Sequence, residues 1–163
     1  MADGVTSSIG IVGSGIMAAG IAEVAARGDV RAIIRARSEA SVASALKQIS
    51  GGLARQVDKG KLEAAERDRI LANISTTTDL AGLTDCDIII ESVVEDLDTK
   101  QALFRELDAI AKPSAILATN TSTLAVVEML ARILSRSETS SLPLSTCRAS
   151  PPEICLSADA TEA

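Results

Sequence analysis

Histidine, tryptophan and tyrosine are absent from this sequence, and Phe104 is its single aromatic residue. The missing histidine excludes a histidine base and a histidine-containing metal site within these 163 residues. Because the net charge is also −6, the chain offers neither a basic patch nor aromatic stacking platforms, and no nucleic-acid partner is expected. The core must instead consist of alanine, valine, isoleucine and leucine, as in buried parallel sheets.

Cysteine is scarce, and long apolar runs do not occur. Cys86, Cys147 and Cys155 show neither metal-ligand spacing nor a disulfide framework, so no metal site is expected. No apolar run approaches the roughly 20 residues that span a bilayer. Asp3 stands where a signal peptide would carry cationic residues. The sequence therefore predicts a cytoplasmic protein in a reducing setting, without a membrane partner.

The stretch from Ile9 to Gly20 (IGIVGSGIMAAG) predicts a short buried strand, a glycine turn and the start of a helix. This order is typical of a dinucleotide-binding βαβ unit. Gly13 allows the turn, Gly15 lets the backbone approach a pyrophosphate, and Ala18 lets the helix pack closely on the strand. The pyrophosphate would lie at the positive end of the helix dipole. A turn with a merely structural role is the alternative.

Strands and helices alternate along the rest of the chain, which predicts an α/β fold with a Rossmann-like, doubly wound parallel sheet. We predict strands at 8–12, 30–34, 74–77, 87–92 and 115–119, and helices at 16–27, 41–59, 62–71, 97–111 and 124–134. The helix at 41–59 is expected to be interrupted at Gly51-Gly52. With the helix that follows, it makes a helical pair inserted between strands two and three. Residues 1–134 are assigned to this dinucleotide-binding domain and residues 135–163 to a divergent, disordered tail.

Together these segments resemble the N-terminal domain of the 3-hydroxyacyl-CoA dehydrogenases, most closely the bacterial 3-hydroxybutyryl-CoA dehydrogenases. The resemblance runs from Ile9 to Met129. It rests on GSGIM at 13–17, VDKGKL at 57–62, ESVVE at 91–95 followed by Lys100, and NTST at 120–123. All but the second of these segments belong to loops at the carboxyl ends of the predicted strands, where such sheets bind ligands.

The resemblance implies an oxidoreductase of fatty-acid metabolism that converts a 3-hydroxyacyl-CoA, such as 3-hydroxybutyryl-CoA, to the 3-oxoacyl-CoA, or the reverse, with NAD(P). It implies that Ser122 lies between the nicotinamide and the substrate oxygen, where a hydroxyl can stabilise developing charge. It also implies that Lys59 and Lys61 meet the phosphates of an acyl-CoA substrate. The expected cofactor contacts are Gly13, Gly15, Ile16, Met17, Ala18, Arg35, Arg37, Val94, Glu95, Lys100 and Asn120.

Simpler roles stay open for several of these residues. Ser122 could cap the next helix. Glu95 and Lys100 could be surface charges at a helix start, and Lys59 and Lys61 could be solvated.

The sequence departs from the family at the end of the second strand. NAD-dependent members carry an acid there that accepts the ribose 2′-hydroxyl, whereas this chain has Ala36 between Arg35 and Arg37. An acid would repel a 2′-phosphate and arginines would hold one. The sequence therefore favours NADP over NAD, with solvent-facing arginines as the alternative.

A second departure concerns catalysis. In the family, a His-Phe-Phe-Asn-Pro segment follows the position of Met129, and its histidine is the general base; this sequence has no such segment. Loss of a positioned base costs about 10²–10⁴ in rate. The lack of tyrosine also excludes the tyrosine–lysine mechanism of short-chain dehydrogenases. Ser122 is then the single catalytic residue expected, and the chain by itself is expected to be inactive.

The last strands of the domain and the family's all-α C-terminal domain, which forms the dimer, are expected to be missing. We interpret the chain as a truncated or frame-shifted dehydrogenase product with an incomplete sheet. An exposed sheet edge favours association, so a homo-oligomer is expected. Two other functions stay open. One is a non-catalytic nucleotide-binding or interaction module, and the other is a 3-hydroxyisobutyrate-type dehydrogenase, which shares a Gly-x-Gly-x-Met turn.

Overall fold

The structure, a computed structural model, describes residues 6–121. The strands in this part of the chain are β1 (Ser8–Val12), β2 (Arg31–Arg35), β3 (Ile74–Thr77), β4 (Ile88–Glu91) and β5 (Ile116–Thr119). The helices are α1 (Ile16–Arg27), α2 (Glu39–Asp58), α3 (Ala64–Ala72) and α4 (Leu97–Ile110), and a 3-10 turn at Leu80–Leu83 precedes β4. The predicted helix at 124–134 and the predicted tail lie outside the described residues.

The strands form one parallel sheet in the order β3-β2-β1-β4-β5. From β1 the chain moves outward to β2 and β3, and then returns to β4 on the other side of β1. This reversal makes a topological switch point at the carboxyl ends of β1 and β4, where open α/β sheets bind their ligands. The predicted Rossmann-like, doubly wound sheet is confirmed.

Each face of the sheet has its own aliphatic core. The helices α1, α2 and α3 cover one face, where Ile11, Ile34 and Leu53 are fully buried. Helix α4 and the 3-10 turn cover the other face, where Ile89 and Leu107 are fully buried. Because both faces are covered, β1 and β4 are nearly continuous apolar runs, as is usual for parallel strands.

The predicted helical pair is present between β2 and β3, but the predicted interruption at Gly51-Gly52 is wrong. Helix α2 is continuous over 20 residues. Each glycine costs a helix about 1 kcal/mol relative to alanine, and the buried side chains of Ile49 and Leu53, on either side of the two glycines, offset that cost. Although α2 is this long, no helix within residues 6–121 is long and apolar enough to cross a membrane.

Most other predicted boundaries are off by one or two residues, and at two of them the structure shows a long-range contact. Strand β2 extends one residue further, since Arg35 pairs with Val12 in the ladder between β1 and β2. Helix α3 begins later than predicted, since Leu62 is already buried in the core before the helix starts. Arg35 is therefore held by the sheet, and not by a loop.

Asp87 ties the amino edge of the sheet together. Its Oδ2 accepts hydrogen bonds from the amides of Ser7 at 2.8 Å and Ser8 at 2.9 Å, and its Oδ1 lies 2.5 Å from Lys112 Nζ, just beyond α4. The hydrogen bond from Lys112 and those from Ser7 and Ser8 hold the pKa of this carboxyl well below its ordinary value of 3.8.

We expect this contact to make stability depend on pH. Because the pKa of Asp87 is lower in the folded chain than in the unfolded chain, the ionised carboxylate stabilises the fold above about pH 4, and this contribution is lost as the pH falls. In the variant Asp87→Asn, the melting temperature should fall less steeply between about pH 5 and about pH 2 than in the unmodified chain. Thermal unfolding followed by circular dichroism measures both slopes; equal slopes would contradict the prediction.

Candidate functional site

The glycine turn between β1 and α1 is fixed to both neighbouring strands. Gly13 has a φ of +141°, which L side chains rarely adopt, and a Cβ there would overlap the carbonyl oxygen of Ser92. The Gly13 amide donates to the carbonyl of Arg35 at 2.9 Å, and the Ser92 amide donates to the carbonyl of Val12 at 2.8 Å. Glycine is therefore required at position 13 by the fold itself.

Gly15 lies two residues further and faces open space. Its φ of −76° is an ordinary value, and a Cβ there would meet no described atom within 4 Å. Gly15 is also the N-cap of α1, and within the described residues no side chain caps the first amides of this helix. Such amides attract anions, and the helix dipole adds to the attraction. The turn thus offers space and backbone donors to an anionic group.

A cavity of about 670 Å³ opens at the switch point beside this turn. It brings together several of the predicted cofactor contacts, which come from the ends of three separate strands and the loops after them: Gly13, Gly15, Arg35, Arg37 and Val94. Ala18 lies beneath the turn, where it is fully buried and allows α1 to pack on the sheet.

The end of β2 forms the positively charged wall of the cavity. Arg35 donates from Nε to the carbonyl of Thr78 at 3.3 Å, while Arg37 is exposed. Ala36, between them, is 3% exposed and has no charge to repel an anion. Ser38 caps α2 by accepting a hydrogen bond from the Ser41 amide at 3.3 Å. An anion that enters between the arginines would therefore meet two positive side chains.

The carboxyl ends of β4 and β5 carry buried polar groups. Lys100 is 1% exposed, and its Nζ lies 2.5 Å from Glu91 Oε1 and 3.4 Å from Glu95 Oε2. The alternative that Lys100 is a surface charge is therefore wrong. Asn120 follows β5, and its Nδ2 donates to the Ser92 hydroxyl at 3.4 Å. Of the predicted residues, Lys100 and Glu95 thus contact each other, while Asn120 contacts Ser92 of the loop that lines the cavity.

Glu91 was not predicted as a site residue, although it is fully buried at the end of β4. A signal was present in the sequence, because a charged residue directly follows Ile88-Ile89-Ile90 in a strand buried on both faces. The identity of its partner could not be inferred, because Lys100 belongs to a different element.

Ile16 and Met17 do not line this cavity. Their side chains are 77% and 56% exposed, and with Gly20 and Val24 they line a separate apolar groove of about 580 Å³ along α1. Their predicted contact with a cofactor stays a prediction.

Lys59 and Lys61 are exposed at the far end of α2. That end lies at the amino edge of the sheet, since Gln56 accepts a hydrogen bond from Arg27, the last residue of α1, at 2.8 Å. The two lysines are therefore a helix length, about 30 Å for 20 residues, from the start of α2 beside the cavity. Ser122 lies outside the described residues.

Residues 8–144 match the family model described as "3-hydroxyacyl-CoA dehydrogenase, NAD binding domain". The 3-hydroxybutyryl-CoA dehydrogenase of Mycobacterium tuberculosis is 41% identical over 124 residues, which cover 76% of this chain and 43% of that relative. The 3-hydroxybutyryl-CoA dehydrogenase of Clostridioides difficile is 36% identical over 121 residues, which cover 74% of this chain and 43% of that relative.

Among solved structures, M. tuberculosis FadB2 is similar to this chain with a TM-score of 0.76 and 40% sequence identity, over 78% of this chain and 45% of that one. The chain therefore spans less than half the length of the curated relatives that it matches.

Proposed function

This chain belongs to the 3-hydroxyacyl-CoA dehydrogenase family, and we propose that its cavity holds a nicotinamide dinucleotide used to oxidise a 3-hydroxyacyl-CoA, or to reduce a 3-oxoacyl-CoA. The observation that carries this proposal is the glycine turn. Gly13 is required by the fold, whereas the open space at Gly15 has no use within the described structure. A pyrophosphate would fill that space and accept hydrogen bonds from the first amides of α1.

The chemistry divides between the cofactor and the chain. When bound, the nicotinamide exchanges a hydride with C3 of the acyl group. Ser122 would donate a hydrogen bond to the oxygen on C3, where charge develops. Lys59 and Lys61 would neutralise CoA phosphates, which requires the substrate to extend along α2. No histidine of this sequence can accept the proton, so the reaction needs a base from another source.

The arginines support NADP as the preferred cofactor. Each charge-assisted hydrogen bond to a 2′-phosphate contributes about 1.5–3 kcal/mol, and Arg37 is the exposed arginine of the cavity wall. We expect Arg37→Ala to weaken NADPH binding by about 10–100-fold, with NADH binding nearly unchanged. Arg31→Ala, at the exposed opposite end of the same strand, is the matched control. Calorimetric titration of both variants measures their affinities for NADPH and NADH. Equal losses of affinity for the two cofactors in Arg37→Ala would contradict the preference for NADP.

The reduction of acetoacetyl-CoA by NADPH tests the catalytic part of the proposal. Turnover by the purified chain would exclude the non-catalytic nucleotide-binding module. Cofactor binding without turnover would favour that module, which the lack of histidine also favours. The family match favours 3-hydroxyacyl-CoA substrates over the 3-hydroxyisobutyrate type. The cytoplasmic setting and the homo-oligomer stay predictions.

A further inference from the structure

The carboxylate of Glu91 is completely enclosed by hydrogen-bond donors from three elements. It accepts from the Val93 amide at 2.7 Å, from Lys100 Nζ on α4 at 2.5 Å, and from the Thr119 hydroxyl at the end of β5 at 2.7 Å. Its exposure is 0%, and it does not line the cavity. Glu91 therefore cannot touch a ligand in the cavity, yet it joins two elements that line the cavity, the loop after β4 and α4, to β5.

These contacts close into a ring. Lys100 Nζ also lies 3.4 Å from Glu95 Oε2, and the Thr121 hydroxyl lies 2.8 Å from the same carboxylate. The Thr121 amide donates to the Thr119 hydroxyl at 3.2 Å, which returns to Glu91. We call the five residues Glu91, Lys100, Glu95, Thr121 and Thr119 the polar ring.

The polar ring links the loop after β4, which lines the cavity, to the loop after β5, which contacts the first loop through the hydrogen bond from Asn120 to Ser92. One loop leaves β4 at residues 92–96, and its Ser92, Val93 and Val94 line the cavity. The other loop leaves β5, and its Asn120 amide donates to the Glu91 carbonyl at 2.9 Å. Both loops are thus hydrogen-bonded to Glu91. The loop after β5 bonds to its backbone carbonyl, and the loop after β4 bonds to its side-chain carboxylate.

Stability alone does not explain a buried ion pair at this position. Well-packed apolar residues in place of such a pair are often equally stable, because the desolvation of both charges offsets their attraction. An ion pair differs from apolar packing because its hydrogen bonds are directional. The carboxylate oxygens and the ammonium group each fix the positions of several partners. The polar ring therefore has a geometric role beyond packing.

We propose that Glu91 is a positioning residue, which holds the loop at 92–96 and the residues after β5 at the spacing that the dinucleotide requires. This inference rests on the proposed function. It assigns to Glu91 an effect on cofactor binding that it exerts through Val93, Lys100 and Thr119.

The test compares Glu91→Gln with Lys112→Met in the full chain. Lys112 pairs with Asp87 at the opposite edge of the sheet, at the same 2.5 Å distance, and so reports the loss of an ion pair away from the cavity. Amide hydrogen exchange and the affinities for NADPH and NADH are measured at a temperature where all variants are folded. Thr119→Val, which removes one neutral donor and keeps the ion pair, is a second, milder variant.

In Glu91→Gln, exchange at the amides of Val93 and Thr121 should rise at least tenfold, and cofactor affinity should fall at least tenfold. Thr119→Val should also raise the exchange rates of these amides and lower cofactor affinity. Lys112→Met should change neither the exchange rates nor the affinity. Unchanged exchange and affinity in Glu91→Gln and Thr119→Val would overturn the proposal. If the unmodified chain binds neither cofactor, the proposed function fails, and the exchange rates alone decide whether Glu91 positions the loops.

Discussion

Gly13→Ala is expected to lower the free energy of unfolding by more than about 3 kcal/mol, a large part of the stability of a typical domain. Position 13 has a φ of +141°, and a non-glycine residue held in such a conformation costs about 1–3 kcal/mol. The new Cβ would also overlap the backbone carbonyl of Ser92, so β4 or the turn must shift. Urea unfolding followed by circular dichroism measures the loss.

Gly15→Ala is the matched control, because it adds the same methyl group to the same turn. Position 15 has an ordinary φ and no described atom within 4 Å of a Cβ. The free energy of unfolding should therefore change by less than about 1 kcal/mol. Cofactor binding should nevertheless be lost, because the methyl group occupies the space proposed for the pyrophosphate. A Gly13→Ala variant with unchanged stability would refute the role of Gly13 in the fold. Full cofactor affinity in Gly15→Ala would refute the proposed pyrophosphate site at Gly15.

Lys100→Met is expected to cost about 3–5 kcal/mol, the usual penalty for removing one member of a buried ion pair. The carboxylate of Glu91 would stay buried, with its exposure of 0%, and would lose the ammonium group of Lys100, which lies 2.5 Å from its Oε1. The double variant Glu91→Gln/Lys100→Met removes both charges. It should recover more than half of the lost stability, since a neutral amide is far cheaper to bury than a carboxylate.

Equilibrium unfolding of the two single variants and the double variant forms a double-mutant cycle. If the double variant is as unstable as the sum of the two single variants, Glu91 and Lys100 do not act as a pair. The cycle distinguishes the effect of the ion pair on stability from its effect on the position of the loops. The double variant should regain free energy of unfolding and still bind cofactor weakly.

Most of the fold follows from local patterns in the sequence. The apolar run ending at Val12, the spacing of Gly13, Gly15 and Ala18, and the amphipathic segment after them predict the boundaries of β1 and α1 that the structure has. Such features depend on neighbours within a few residues, and a short window of sequence contains them. The same holds for the cap that Ser38 provides to α2.

The errors arose where partners lie far apart along the chain. Gly51-Gly52 did not interrupt α2, because the core that holds Ile49 and Leu53 includes β1 and α1. Arg35 belongs to β2, because it pairs with Val12 of the neighbouring strand β1.

The sequence by itself determined the class of fold, the glycine turn, the arginines in place of an acid and the lack of a histidine base. These follow from residue identity and from spacing along the chain. Tertiary structure alone decided that Gly13 is required by packing while Gly15 faces open space, and that the arginines and the turn share one cavity. It also decided that Glu91 joins the loop at 92–96 to α4 and β5. The physical reason is that burial and the pairing of polar groups depend on elements brought together by folding, over separations as long as the 80 residues from Ser7 to Asp87.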